Sequence, residues 1–337
     1  MDLDFHYGTM YVLSRWAKFG SQSAQLIATS SQLVDDNYDT NAFSDKAEEE
    51  NIARGVQVRY SCQNIWANVS GYGNEEIWIP FHFLPGLEGE TEAERLVCKK
   101  HSVLSEELKQ RMNDITLDNP NYVFRLGIAS HVLADTWAHQ EFAGINDAIN
   151  QVQELLFTRQ GSMLKKMIGE VFDSSLVAKV MDMVMPLGHA AAVHCPDIPY
   201  LWWRTSRRFF SGRKNWDEFM EAASEIYEVL QKVSGVEVTG LTKEQRIKLM
   251  TCFKTIQSRD IEDRYAGWMD RIRKNYFEFD DFDDGDKHVK YSSDTIFADP
   301  DWRKQFYDEI NDHFYWVKGK LIDNGIDRLD KKGFKGY

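Results

Sequence analysis

Apolar residues recur at helical spacing along most of this chain. Tyr11, Val12, Leu13, Trp16 and Ala17 are followed by Ala24, Leu26, Ile27 and Ala28, a pattern that predicts helix over Tyr7 to Thr29 with a break at Gly20. The segment continues through SSQLVDDNYD to an apparent helix end at Asp35 and Asp36. A negative pair there opposes the helix dipole, so it marks a solvated turn or a place where a cation sits. From Lys46 to Gly73 the pattern is mixed: KAEEENIARG can start a helix, while VQVRYSCQNIW alternates enough for a short strand pair or an irregular ledge. IWIPFHFLPG (77–86) reads as apolar and β-rich, with His82 between two phenylalanines. Taken alone, His82 reads as a core histidine whose nitrogens must find partners.

Thr91 to Asp118 reads as one amphipathic helix with an inner turn near Ser102, and His101 is expected to be exposed among lysines. Asn119 is the expected cap of the next helix, just before Pro120. Helical patterns follow at Ile145–Thr158 and, rich in methionine, at Ser162–Val184; the methionines are assigned to core. Further helices are expected at Trp216–Lys232, Thr242–Ser258, Asp260–Phe277 and Asp301–Asn324, with a frayed basic tail. Between them, FEFDDFDDGDKH (277–288) lacks the closing glutamate of a calcium loop and is expected to be a solvated acidic loop. With no internal repeat, the chain is expected to be all-α. A multi-helix core at 1–205 would surround a metal cluster, and a helical extension or lobe at 206–337 would pack on it.

The chemistry concentrates in YVFRLGIASHVLADTWAHQEFAG (122–144), where His131, Asp135 and His139 follow one another at intervals of four. Such residues share one helical stripe, drifting about 40° per step. Two imidazoles and a carboxylate on one stripe are candidate metal ligands. Eight residues rise about 12 Å, too far for both histidines to hold one ion. The stripe therefore predicts a multinuclear site with Asp135 bridging. Trp137 points off the stripe, into core, and Glu141 is a helix-surface residue or a partner of His139. Farther on, His189, His194 and Asp197 crowd into PLGHAAAVHCPDIPYLWWR (186–204) and could close a site opened at 131–139.

Composition narrows the partners. The chain has 337 residues, 43% hydrophobic and 13% aromatic, enough for a substantial core. Its formal charge of −13 disfavours a nonspecific grip on nucleic acid or anionic membrane, although bound cations would dominate the field at a metal site. The acidic start MDLDFHYGTMYVLSRW lacks the basic and apolar regions of a secretory signal, and no stretch approaches the ~20 apolar residues of a membrane span. A cytoplasmic location is the resulting expectation. The dispersed cysteines, Cys62, Cys98, Cys195 and Cys252, are expected to be reduced thiols.

In order, the chain presents His6, the Asp35–Asp36 pair, His82, His131-x-x-x-Asp135, His139 and His189. This order resembles the zinc-dependent phospholipase C and single-strand nuclease superfamily. The blocks DFHY (4–7), SQLVDD (31–36), IPFHFLPG (79–86), HVLADTWAHQEFAG (131–144) and GHAAAVHCPDIP (188–199) look still closer to an uncharacterised microbial family related to those enzymes. The likeness covers about residues 1–200, and it implies an all-helical fold around two or three zinc ions, with manganese or iron as substitutes.

Carried over, it implies that Asp36 or Asp35, His82, His131 and Asp135 surround one ion. His139 and His189, helped by His194 or Asp197, would hold a second, and His6 with the bridging Asp135 a third. Asp135 and Asp36 would be the carboxylates that carry the chemistry. The superfamily's third site uses the amine of an N-terminal tryptophan, so Asp2 or Asp4 would substitute here. Val193 stands where an acid is expected four residues after His189, which leaves His194 and Asp197 open.

The implied activity is metal-dependent hydrolysis of a phosphoester by a metal-activated water in a di- or trinuclear site. Its substrate would be a small phosphorylated molecule or a lipid headgroup. Two other readings stand beside it. One is a non-catalytic helical interaction or effector protein with structural metal. The other is a non-haem iron oxygenase, which the absence of any Glu-x-x-His motif disfavours.

Overall fold

A computed structural model describes residues 1–38, 45–62, 75–152, 156–157, 195–205, 212–258 and 260–329, with the backbone alone at 45–47 and 156–157. The described chain is mostly helical. A π-helical turn, Asp4–Thr9, leads into α1 (Met10–Trp16), followed by α2 (Ser21–Asp36), α3 (Asp45–Ala53), α4 (Glu75–Phe81), α5 (Glu92–Arg95), α6 (Val103–Asn113) and α7 (Tyr122–Ala138). After a 3₁₀ turn at Ala148–Asn150 come β1 (Leu156–Phe157), β2 (Trp202–Arg204) and β3 (Arg213–Lys214), an antiparallel sheet in the order β1-β2-β3. The remaining helices are α8 (Asn215–Ser234), α9 (Lys243–Thr255), α10 (Ile261–Arg273), α11 (Asp284–His288), α12 (Asp294–Phe297) and α13 (Pro300–Asp323).

The fold is built around α7, which packs against α2, α4, α6, α8 and α13. Every residue from Leu126 to Ala138 is buried, so this helix is apolar nearly all round, as a central helix must be. Gly127 sets its closest contact: a Cβ there would stand 2.4 Å from the Ile27 carbonyl and 2.5 Å from Ser30 Cβ of α2. With no side chain between them the two backbones touch, and the end of α2 lies over the next turns of α7. The break at Gly20 falls where the sequence places it, with Gly20 extended before α2.

One apolar cluster runs from Met1 to Leu329 and includes residues of α8, α9, α10 and α13. A smaller one joins Phe83, Cys98, Phe142, Cys195 and Trp203 beside the sheet. The four cysteines are free thiols. Among the described residues no helix is long and apolar enough to cross a membrane.

Several segments differ from the sequence pattern. The β-rich reading of 77–86 fails, because residues up to Phe81 form α4 despite Pro80 inside it. Its Ile77, Ile79 and Phe81 are buried by tertiary packing, which overrides β-propensity. Thr91–Asp118 is not one helix: α5 and α6 are separated by bridges Pro85–Cys98 and Val97–Ala143, and Ser102 caps α6. Asn121, not Asn119, precedes α7; the Asn119 side chain accepts from the Asn121 amide at 2.9 Å. Ile145–Asn150 is turn and 3₁₀ rather than helix, and Ser162–Val184 lies outside the described residues.

The acidic stretch 277–288 is not simply solvated. Asp286 is fully buried, accepting from Tyr11 at 2.7 Å and from Arg15 at 2.8 and 3.0 Å. Asp283 meanwhile caps α11 with a capping box. A partner 271 residues away in sequence explains the acid that local composition assigns to solvent.

Candidate metal centre

Seven of the side chains singled out in the sequence converge on one buried cluster. α7 supplies His131 and Asp135, and His139 follows as its C-terminal cap. The end of α2 supplies Asp35, the residue after α4 supplies His82, and the π-helical turn supplies His6. Asp197 comes from the turn that follows Cys195. His6 and His131 are fully buried, and Asp135, His82 and His139 nearly so. Asp35 keeps 28% of its side chain exposed, more than any other member.

Three donor atoms, from His82, His131 and Asp135, group around one point, with Asp35 beside them. His131 Nε2 lies 3.3 Å from Asp135 Oδ2, 3.4 Å from His82 Nδ1 and 3.8 Å from Asp35 Oδ1. His82 Nδ1 lies 3.5 Å from Asp135 Oδ2 and 3.6 Å from Asp35 Oδ1. Charge-assisted hydrogen bonds are shorter, about 2.7–2.9 Å. Ligands about 2.0–2.2 Å from a tetrahedral ion, by contrast, stand about 3.3–3.6 Å from one another. The spacings among His82, His131 and Asp135, 3.3–3.5 Å, fall in that range.

Hydrogen bonding fixes one tautomer. His82 Nε2–H donates to the Ser61 carbonyl at 2.8 Å, so Nδ1 turns a lone pair toward Asp135. His139 Nδ1–H donates to the His82 carbonyl at 2.6 Å, so its Nε2 faces Asp197 Oδ1 at 3.0 Å. A lone pair facing a carboxylate needs a proton or a metal between them. Asp135 Oδ2 has no hydrogen-bond donor among the described residues, nor does Nδ1 of His6 or of His131. A buried acceptor without a donor costs about 1–3 kcal/mol unless something else satisfies it.

On the other side of Asp135, Oδ1 accepts from the Met1 α-ammonium at 2.6 Å and lies 3.1 Å from His6 Nε2. The ammonium also stands 3.3 Å from Asp197. His6 and His131 stack with ring centroids 3.8 Å apart, and His6 Nε2 is 3.9 Å from Asp35 Oδ2. His6, Asp35 and His131 thus form a second donor group beside that of His82, His131 and Asp135.

The charges respond to this crowding. Burial opposes the Met1 ammonium, but Asp135, Asp197 and Asp35 outweigh it and raise its pKa to about 11. Burial, with the Met1 ammonium, lowers His6 to about 4. Burial and His6 hold His131 well below the imidazole range, so both rings are neutral, the state in which imidazole binds metal. Burial pushes the Asp135 carboxyl up, but His139, the Met1 ammonium and His131 outweigh it and keep it well below the carboxylate range. Asp35 moves upward, through burial and then Asp135 and Asp36 against the Met1 ammonium; water reaching its exposed part tempers that shift.

Two expected ligands point elsewhere. Asp36 accepts from Tyr291 and, at 3.2 Å, from Gln32. Neighbouring helix residues lie about 100° apart, so only one of the pair can face α7, and that one is Asp35. Asp4 accepts from Arg264 at 2.8 Å and from Trp268 at 3.3 Å. It precedes His6 by two residues, and such residues do not share a helix face. Asp2 also pairs with Arg264, at 2.5 Å. It is the Met1 α-amine, which sequence reasoning passed over, that lies in the cluster; no side-chain pattern signals it. His189 and His194 lie outside the described residues. Trp137 is buried, as expected, and Glu141 sits past the helix end with φ 73°.

Buried groups of histidine and aspartate in this arrangement can hold metal ions. The chain belongs to a family of unknown function, DUF6765, whose profile matches residues 1–322. No curated protein and no solved structure matches it.

Proposed function

We propose that this family member is a metal-dependent hydrolase of phosphoester bonds, with zinc held at His82, His131, Asp35 and Asp135. The observation that carries the reading is the 3.3–3.5 Å mutual spacing of His82 Nδ1, His131 Nε2 and Asp135 Oδ2, with Asp35 Oδ1 3.6 Å from His82 Nδ1. Imidazole and carboxylate donors fit zinc, and also manganese or iron. Further ions would lie toward His139 and Asp197, and toward His6, with Asp135 between them. The chain order of these residues resembles that of the zinc-dependent phospholipase C and single-strand nuclease superfamily, whose third site uses an N-terminal amine.

Bound ions in such a site supply an activated water and stabilise the leaving oxygen of a phosphoester. The chain's own residues do the rest. Asp135 holds the donor groups together, and the Ser61 and His82 carbonyls fix the ring orientation of His82 and His139. Asp35 is the most exposed of the described donors, which sets the side from which a substrate would approach. With a net charge of −13, a small phosphorylated molecule or lipid headgroup suits the chain better than a polyanion.

The burial of the other described donors favours a second reading, a structural metal in a non-catalytic protein. One experiment separates the two. Purified protein is analysed for metal, then assayed on chromogenic phosphomono- and diesters before and after chelation. The hydrolase reading expects at least one ion per chain and chelator-sensitive turnover restored by zinc or manganese. Metal without turnover on any ester, but with a chelator-sensitive melting temperature, would leave the structural reading; no metal at all would sink both.

A further inference from the structure

We propose that Arg264 of α10 is a positioning residue that holds His6 in ligand position, an inference that rests on the metal-centre reading above. His6 is carried by a π-helical turn, Asp4–Thr9, and such turns are rare and found mostly at functional sites. What fixes this turn comes from more than 250 residues away in sequence. The Arg264 guanidinium, 2% exposed, donates from Nε to Asp4 at 2.8 Å, from Nη2 to Asp2 at 2.5 Å and from Nη1 to the Ser258 carbonyl at 3.1 Å. One helical turn on, Trp268 Nε1 donates to the other Asp4 oxygen at 3.3 Å. The Trp268 ring also lies flat on the backbone of Gly8, where a Cβ would meet it at 2.8 Å. Helix α10 therefore grips the turn at residues 2, 4 and 8.

The grip and the ligand lie on opposite sides of the turn. Asp4 faces α10, and His6, two residues on, faces Asp135 with Nε2 at 3.1 Å. Among the described residues Arg264 hydrogen-bonds to Asp4, Asp2 and the Ser258 carbonyl, so it acts on the donor atoms through Asp4 and Asp2. Removing it leaves the buried Asp4 carboxylate without its cation, a costly state that the turn relieves by moving. Any such movement carries His6 away from Asp135. The donors His82, His131, Asp35 and Asp135 are carried by α2, α7 and the residue after α4, and the hydrogen bonds of Arg264 run instead to Asp4, Asp2 and Ser258, so these donors are expected to keep their zinc without the grip.

The test titrates zinc alone, against a competing chromophoric chelator, into metal-stripped full-length protein. Arg264→Gln is expected to weaken the most loosely held zinc by about 10–100-fold, the usual effect of losing an outer support, and to leave the tighter zinc unchanged. His6→Ala is expected to abolish that loose site. Adding Arg264→Gln to His6→Ala should then change no remaining zinc affinity, even where it lowers the melting temperature. A merely structural arginine would instead weaken every site, or weaken zinc binding in the His6→Ala background as well. Wild-type zinc affinities in Arg264→Gln overturn the clamp and leave the metal centre standing; no zinc binding by the wild type overturns both. Should Arg264→Gln fail to fold, Asp2→Asn removes one arm of the grip at a side chain 20% exposed, and the same loose site is expected to weaken by a smaller factor.

Discussion

The Arg15–Asp286 pair and the Asp135 cluster both place charge out of reach of water, and they are completed in different ways. At Asp286 every oxygen has a donor: Tyr11 at 2.7 Å and Arg15 at 2.8 and 3.0 Å, with a further Arg15 nitrogen on the Phe19 carbonyl at 2.6 Å. These are ordinary hydrogen-bond lengths, and the group closes within the protein. Around Asp135 Oδ2 the neighbours stand at 3.3–3.5 Å, and among the described residues none donates to it and two neutral imidazole nitrogens nearby lack partners. One cluster ties α1 to the 277–288 segment. The other has the spacing of a ligand shell. The lesson is that a buried carboxylate is read from its partners' distances, since both acids are equally hidden.

The largest effect should come from removing the charge at the second cluster. Asp135→Asn keeps shape but abolishes metal binding, measured as metal per chain. With free zinc at about 1,000 times its dissociation constant, each ion stabilises the wild type by about 4 kcal/mol. Chelation should therefore lower wild-type stability by at least that amount and leave Asp135→Asn unchanged. Asp286→Ala breaks the first cluster instead. It strands the Arg15 guanidinium and should cost about 3–5 kcal/mol in denaturant melts, with metal content at the wild-type level. Metal loss in Asp286→Ala, or none in Asp135→Asn, would erase the distinction.

A third buried group sharpens the contrast at smaller scale. His313 donates to the Pro80 carbonyl at 2.8 Å, and burial lowers its pKa to about 4 despite that bond. The ring is neutral in the fold and protonates in the unfolded chain at about pH 6.5. Stability is thus fully present above about 6.5 and falls as pH drops toward about 4, by up to about 3 kcal/mol. His313→Gln keeps a donor for Pro80 and should flatten this part of the stability-versus-pH curve; an unchanged slope would show that His313 does not titrate with unfolding.

These clusters also show how far the sequence could be read. The spacing of His131, Asp135 and His139 is local, so a helix alone places them together. The break at Gly20 and the helices at α8, α9 and α13 follow from periodicity in the same way. The choice between Asp35 and Asp36 is not local. It depends on which face of α2 meets α7, and that is set by the contact at Gly127. His82 stands in a run of β-branched and aromatic residues that packing bends into helix, so its environment was readable while its element was not. Asp286 and Asp4 find their arginines 271 and 260 residues away, beyond any pattern in a window. Metal-binding potential was therefore legible where its ligands share a helix, and the frame that holds the other ligands was not.

The grip of Arg264 on the first few residues has a consequence for the order of assembly. The segment that carries His6 is made before its anchor, which follows about 260 residues later. Long-range closures of this kind are late events, because their loop entropy is met only when most of the chain is available. A nascent chain that stops before α10 already contains α2, α4 and α7, and with them Asp35, His82, His131 and Asp135. The turn that carries His6 gains its Arg264 anchor only afterwards, so the two sides of Asp135 are completed at different times in the life of the polypeptide.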